Sequence, residues 1–171
     1  MAADPLGKLT PRSVPTLAGT PLPTRTTPTV GGVQELPGEL RPRVSSAPLA
    51  RLATVAPDGR PHVVPITFAI DGNRVVTAVD HKPKTTRRLQ RLRNITNNPL
   101  AAVLVDHYED DWSRLWWVRG DGRARVVQEG AEWEDAVSAL TYKYTQYRGN
   151  APEGPAIILT VDRWVTWMSG A

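Results

Sequence analysis

From Leu49 onward the chain alternates short apolar runs with tight-turn signals, at the spacing of strands. Ala50–Ala56 is apolar and β-branched and stops at the turn Pro57-Asp58-Gly59. Arg60–Ile70 follows, then a second turn at Asp71–Asn73 and a third run, Arg74–Val79. Three runs joined by such short turns predict an antiparallel meander. Pro61 and Pro65 lie inside the second run, and a residue without an N–H fits an edge strand or a bulge. Next comes a basic stretch in which Leu89, Leu92 and Ile95 recur at helical spacing. Pro83 suits a first-turn position and Asn97-Asn98-Pro99 stops the pattern, so a helix is predicted there. Leu100–Tyr108 reads as a buried strand, and the acidic loop Glu109–Trp112 leads to Arg114–Gln128, a strand pair or one strand bulged at Gly120-Asp121-Gly122. A second helix is predicted from about Ala131 to Tyr144, with Trp133, Val137 and Leu140 on one side, and Ala156–Met168 closes the chain as a strand. The sum is a mainly β, α+β fold: six antiparallel strands in a small barrel with two covering helices.

Composition changes this picture at the N-terminus. Eight of the sixteen prolines fall between Pro5 and Pro42, among Thr, Gly and Ser, with little apolar periodicity. Such a segment buries too little surface to offset its ordering entropy, so residues 1–40 are expected to be a disordered tail and residues 41–171 the domain. A length of 171 residues suits one domain with a real core. The absence of cysteine excludes disulfides and thiolate metal sites and fits a reducing cytoplasm. No apolar run reaches membrane-spanning length and the N-terminus has no signal pattern, so no membrane partner is expected.

The net charge of +4 is unevenly spread: six cations fall between Lys82 and Arg93. Continued as helix, the run puts Lys84, Arg88 and Arg91 on one face, which by itself reads as a solvated surface. Lys82, Lys84, Thr85 and Thr86, however, cluster where the helix would begin. Free N–H groups and the dipole already favour an anion at that end, and cations there raise an already positive potential. A phosphate, with the Thr hydroxyls as extra donors, resolves the conflict. His81 stands next to this site as a further donor. A nucleic acid surface would need a broader basic footprint, and aromatic residues do not interleave with the run, so no nucleic-acid partner is expected.

The segment Arg51–Tyr108, RLATVAPDGRPHVVPITFAIDGNRVVTAVDHKPKTTRRLQRLRNITNNPLAAVLVDHY, resembles the pyridoxamine-phosphate-oxidase-like split β-barrel superfamily. Within it, HKPKTTRRLQRLRNI followed by DDWSRLWWVRGDGRARV is similar to the branch that uses the deazaflavin coenzyme F420. The resemblance runs from about Leu49 to the C-terminus. It implies a homodimer with two cofactor sites at the subunit interface, and a helix ahead of the first strand for which the proline-rich tail shows no pattern. It also implies a cofactor phosphate held by Lys82, Lys84 and Thr85, supported by Arg88. The ring would lie along the backbone of Val64, Pro65, Ile66 and Thr67 and beside Thr77 and Ala78, with Trp116 and Trp117 facing it. Tryptophan where flavin oxidases tend to carry a polar residue for the ring favours F420 over FMN.

The implied activity is hydride transfer between the deazaflavin and a small organic substrate. The alternatives are an FMN-dependent oxidase and a carrier that binds coenzyme without turnover. A coenzyme that carries the reactive hydride needs no nucleophile–base constellation, and none stands out, so no catalytic residue is named. His62 is more simply a packing residue than a ligand. His107 beside Glu109, Asp110 and Asp111 lacks metal-ligand spacing, and no metal is expected.

Overall fold

The computed structural model describes residues 35–80 and 89–169. The stretch before residue 35 and the basic run His81–Arg88 lie outside the described residues, as do the last two residues. In chain order the elements are α1 (Arg41–Ser46), β1 (Ala50–Val55), β2 (Pro61–Ile66), β3 (Ala69–Asp71), β4 (Arg74–Ala78), α2 (Gln90–Asn97), β5 (Leu100–His107), β6 (Trp116–Val127), α3 (Ala131–Lys143) and β7 (Ala156–Met168). Short 3-10 turns occupy Trp112–Arg114 and Thr145–Tyr147.

All seven strands join one antiparallel sheet in the order β2-β1-β5-β6-β7-β4-β3. Its two edge strands, β2 and β3, are separated in sequence by Thr67 and Phe68 alone. Laid flat, the sheet would hold its edges about 29 Å apart at the usual strand spacing. Three Cα steps from Ile66 to Ala69 span at most about 11 Å. The sheet therefore curls until its edges meet at the bend.

The six strands expected become seven because the run Arg60–Ile70 breaks at that bend, and each half pairs with a different neighbour: β2 with β1, β3 with β4. Pro61 and Pro65 sit on an edge strand, where a missing N–H costs no ladder bond. The two helices expected become three through α1. The tail boundary at residue 40 falls inside packed chain, since Leu36 and Leu40 are buried. Two leucines among prolines set no period, so their burial had no signature in the pattern.

Alternation along each strand sorts side chains to two sides. Leu52, Phe68, Val75, Val103, Val118, Ile157 and Leu159 fill the inside of the curl, with Val44 of α1 and Ile95 of α2 packed against them. Val76, Ala78, Ala156 and Ile158 face the other way and are covered by Ala136 and Leu140 of α3. The strand Trp116–Val127 is continuous, with a bulge between Asp121 and Gly122. A Cβ on Gly122 would lie 2.0 Å from the Thr160 carbonyl oxygen, so no larger residue fits there.

The bend is held from α3 and the turn after it. Tyr144 Oη accepts the Phe68 N–H at 3.0 Å and lies 3.1 Å from both the Phe68 and Pro48 carbonyl oxygens. Tyr147 Oη and Thr67 Oγ1 are 2.9 Å apart. We expect Tyr144→Phe to lower unfolding free energy by about 1–3 kcal/mol, because it leaves a part-buried N–H without its acceptor. Urea denaturation measures this, and an unchanged midpoint would mean the hydroxyl does not secure the bend.

Candidate functional site

The bend and the end of β4 are linked through one strand pair: Ala69, which follows Thr67 and Phe68, pairs with Val76, which precedes Thr77 and Ala78. Ile66 is buried, Val64 packs partly on the inner core, and Pro65 between them is exposed. Thr77 and Ala78 are both buried but on opposite faces, because strand neighbours alternate, and Ala78 belongs to the α3 side. His81, Lys82, Lys84, Thr85 and Arg88 lie outside the described residues.

The chain is fixed on both sides of that basic run. Val79 donates its N–H to the Pro155 carbonyl at 3.0 Å and accepts from the Gly154 N–H at 3.2 Å. A Cβ on Gly154 would meet Val79 at 2.7 Å, so glycine is what permits this approach. Trp133 Nε1 donates to the Gly154 carbonyl at 3.0 Å and ties the clamp to α3. On the far side, Asn94 of α2 is fully buried. Its Nδ2 donates to Thr54 Oγ1 at 2.9 Å, while its Oδ1 accepts from Gln90 Nε2 at 2.7 Å. Thr54 Oγ1 is in turn 3.5 Å from His62 Nδ1. This network bolts α2 to β1 and β2.

A cleft of about 450 Å³ opens between the β1–β2 turn and α2, with His62, Arg60, Gln90 and Arg93 on its walls. Arg60 is paired with Asp58 at 2.6 Å, whereas Arg93 has no ion-pair partner among the described residues. Arg91 Nε, on the first turn of α2, is buried and has no hydrogen-bond partner among the described residues. Burial pulls the Arg91 guanidinium below its ordinary range, and the Asp80 carboxylate opposes that shift. A buried cationic N–H without a hydrogen-bond partner among the described residues, beside a clamped strand exit, suits an anionic group.

Trp116 and Trp117 are elsewhere. Thr77 pairs with Ile157 and that residue with Val126, whereas Trp116 lies ten positions earlier on β6. That is about 33 Å of extended strand, so one chain does not bring the tryptophans to the β4 corner. The two also diverge. Trp116 is buried in the inner core, near-parallel to the His107 ring with centroids 6.2 Å apart. Trp117 faces outward, opposite Trp167, which is 43% exposed. The same outer face carries exposed Val63, the Arg51–Asp106 pair, and Asp121 between Arg119 (2.8 Å) and Arg163 (3.0 Å). Burial raises the Asp121 carboxyl, but the two guanidinium groups outweigh it and hold the group below its ordinary value. Among the described residues no cluster of three His, Asp or Glu side chains suits a metal ion, and no helix is long and apolar enough to cross a membrane.

The Asn94 network and the two tyrosines are what sequence reasoning missed. Asn94 adjoins the Leu92/Ile95 stripe and Thr54 interrupts an apolar strand, a weak signal that gains meaning only once helix and strand are seen in contact.

A curled antiparallel sheet with helices at its rim and a cationic corner defines a split-barrel protein of the flavin-binding type. Residues 36–168 match the pyridoxamine 5'-phosphate oxidase family, and the chain belongs to it. No curated protein matches its sequence significantly. Among solved structures, a conserved hypothetical protein from Mycobacterium tuberculosis is similar at a TM-score of 0.65 and 19% identity, over 84% of this chain and 91% of that one. The FAD binding protein from Mycobacterium smegmatis gives 0.53 and 19%, over 79% and 97%. The heme storage protein from Vibrio cholerae gives 0.60 and 17%, over 80% and 96%. At these identities the likeness is one of fold.

One titratable group stands out close to the bend. Lys143 Nζ is buried without a hydrogen-bond acceptor among the described residues and sits 3.6 Å from the centre of the Phe68 ring. Burial lowers its pKa from 10.5 to about 8. At lower pH the amine is charged in both the folded and unfolded chain, and its desolvation cost is carried in full. Between about 8 and 10.5 the unfolded chain binds the extra proton, so this group makes stability rise with pH. Lys143→Met is expected to be more stable than the parent at neutral pH and to lack that rise. Denaturant titrations of both chains across the window decide it; parallel profiles would show an amine that stays hydrated.

Proposed function

We propose that the chain is an F420-dependent oxidoreductase that passes a hydride between the deazaflavin and a small organic substrate, acting as a homodimer in the cytoplasm. The supporting observation is the clamped corner: Val79 and α2 are fixed where the chain enters and leaves the run containing His81, Lys82, Lys84, Thr85 and Arg88. Lys82, Lys84 and Thr85 would hold the coenzyme phosphate, with His81, Arg88 and Arg91, whose Nε has no hydrogen-bond partner among the described residues, as further donors. The ring would then lie along Val64–Thr67 and the end of β4 at Thr77 and Ala78. When bound, the deazaflavin supplies the hydride chemistry, and the protein's part is to bind, orient and exclude water. The bend clamped by Tyr144 and Tyr147 gives the ring a rigid backbone wall.

A second copy accounts for the distant Trp117. Trp116 is committed to its own inner core, whereas Trp117, too far along β6 to serve its own corner, shares with Trp167 and Val63 an outer face that offers apolar surface to a partner. An FMN-dependent oxidase is the second reading, favoured by similarity to the FAD binding protein. A carrier without turnover is the third, favoured by similarity to the heme storage protein.

Titration of the purified full chain with F420 and with FMN, followed by tryptophan quenching, separates the first two readings. Saturable F420 binding is expected, and FMN binding alone would promote the oxidase. Lys84→Ala should weaken F420 by about 10- to 100-fold, the worth of one charge-assisted bond; unchanged affinity would place the phosphate elsewhere. Reduced F420 offered to a panel of acceptors distinguishes enzyme from carrier by turnover. Light scattering should give the mass of two chains, and a single-chain mass would remove the partner-supplied Trp117.

A further inference from the structure

A cleft of about 790 Å³ lies between α3, the end of α1 and β3. Ala69, Ile70, Ala139 and Tyr142 give it apolar walls, and Lys143, in the last turn of α3, lines it too. Lys143 as a whole is half-buried, but its Nζ is shielded from solvent and has no hydrogen-bond partner among the described residues. Its neighbours are two aromatic rings, Phe68 with its centre at 3.6 Å and Tyr144 at 5.2 Å. The two carboxylates of the cleft do not neutralise the amine. Asp71 is paired with Arg74, and Asp135 stands eight residues earlier on α3, about 12 Å along the axis. Neither forms a hydrogen bond with Lys143.

A methionine would fill the same space with no charge to desolvate, so the amine is retained at a cost in stability. Desolvation also makes it a nucleophile: more of it is free base near neutrality, and no hydrogen bond engages its lone pair. The flexible four-carbon stem belongs to the cleft wall, and rotation about it brings Nζ toward the open space without moving α3. An aldehyde entering there meets a free amine. The Nζ–C bond forms, the carbonyl oxygen departs as water with the two amine hydrogens, and no oxidant or reductant is needed. The imine is neutral and therefore suits apolar surroundings better than the ammonium it replaces. We propose that Lys143 is a covalent attachment site for small apolar aldehydes, which it holds reversibly as imines in this cleft. The site uses none of the residues assigned to the coenzyme, so it rests on neither the F420 nor the FMN reading.

The test is trapping of the imine on the purified full chain, without coenzyme, at pH 7. Benzaldehyde is added with cyanoborohydride, which reduces an imine as it forms, and peptide mass spectrometry locates the adduct among Lys8, Lys82, Lys84, Lys143 and the N-terminal amine. At that pH an ordinary lysine is about 0.03% free base, whereas an amine titrating at about 8 is about 10% free base. We expect Lys143 to be labelled about tenfold or more faster than Lys8, and the preference to vanish in urea. Lys143→Met should lose that adduct while labelling of the other amines stays as it was. Glyoxylate probes the cleft itself, because its carboxylate would face Asp71 and Asp135. With both aldehydes scaled to their rates on Nα-acetyl-lysine, Lys143 should favour benzaldehyde. Equal labelling of Lys143 and Lys8, no adduct at Lys143, a preference that survives in urea, or a scaled preference for glyoxylate would each overturn the assignment.

Discussion

A covalent link of two residues between opposite edges of the sheet constrains the whole domain. Thr67 and Phe68 join β2 to β3, and no flat arrangement of seven strands satisfies so short a connection. The curl creates an interior, and Phe68, at the link itself, is fully buried within it. Such a bend cannot use ladder bonds for its own peptide groups, so side chains must supply them. Tyr144 does this for both the N–H and the carbonyl region of Phe68, and Tyr147 does it for the Thr67 hydroxyl. The helix that covers the outer face is thereby the element that secures the closure. Lys143, over the Phe68 ring without a hydrogen-bond acceptor among the described residues, is the desolvated member of this arrangement.

The closure also creates the corner proposed to bind coenzyme. Once β3 lies on β4, the bend and the end of β4 are neighbours, and a ligand there meets backbone that cannot shift independently. The chain is fixed shortly before the basic run by the Gly154–Val79 contact and after it by the Asn94–Thr54 bond. Buried amide networks of this kind hold geometry more than they add net stability, since each bond replaces one to water. Preorganisation is what a coenzyme-binding protein needs when the reactive chemistry belongs to the ligand.

The long β6–β7 strand pair separates two regions of the molecule. One end supports the clamped corner, and the other carries Trp116 and Trp117. Along this pair the outer face carries the Arg119–Asp121–Arg163 cluster between Trp117 and Trp167 at one end and the bulge at the other. The bulge at Asp121/Gly122 sets the register of both ends at once, since Gly122 admits no side chain against Thr160.

Much of this was legible in the residues alone. Turn signals at Pro57–Gly59 and Asp71–Asn73, the proline-marked edge strand, the bulge in Gly120–Gly122 and the helix ending near Lys143 are local patterns, and local backbone preferences suffice to write them. The cationic run and the family resemblance were equally plain. The break at Thr67–Phe68 was not, because Arg60–Ile70 is continuous in its apolar character and splits only through the non-local demand that β3 pair with β4. Nor did adjacency reveal that Trp116 and Trp117 point to opposite faces, or that Thr77 and Ala78 do. A period of two says that neighbours diverge, but which face is covered is decided by α3 and by strands far away in sequence. Asn94 and Thr54, forty positions apart, look unrelated until the fold sets them 2.9 Å apart. The sequence by itself determined the strands, the charge and the family. Tertiary structure decided which residues share a wall, because cross-strand register and helix placement are settled by packing rather than by any short window of the chain.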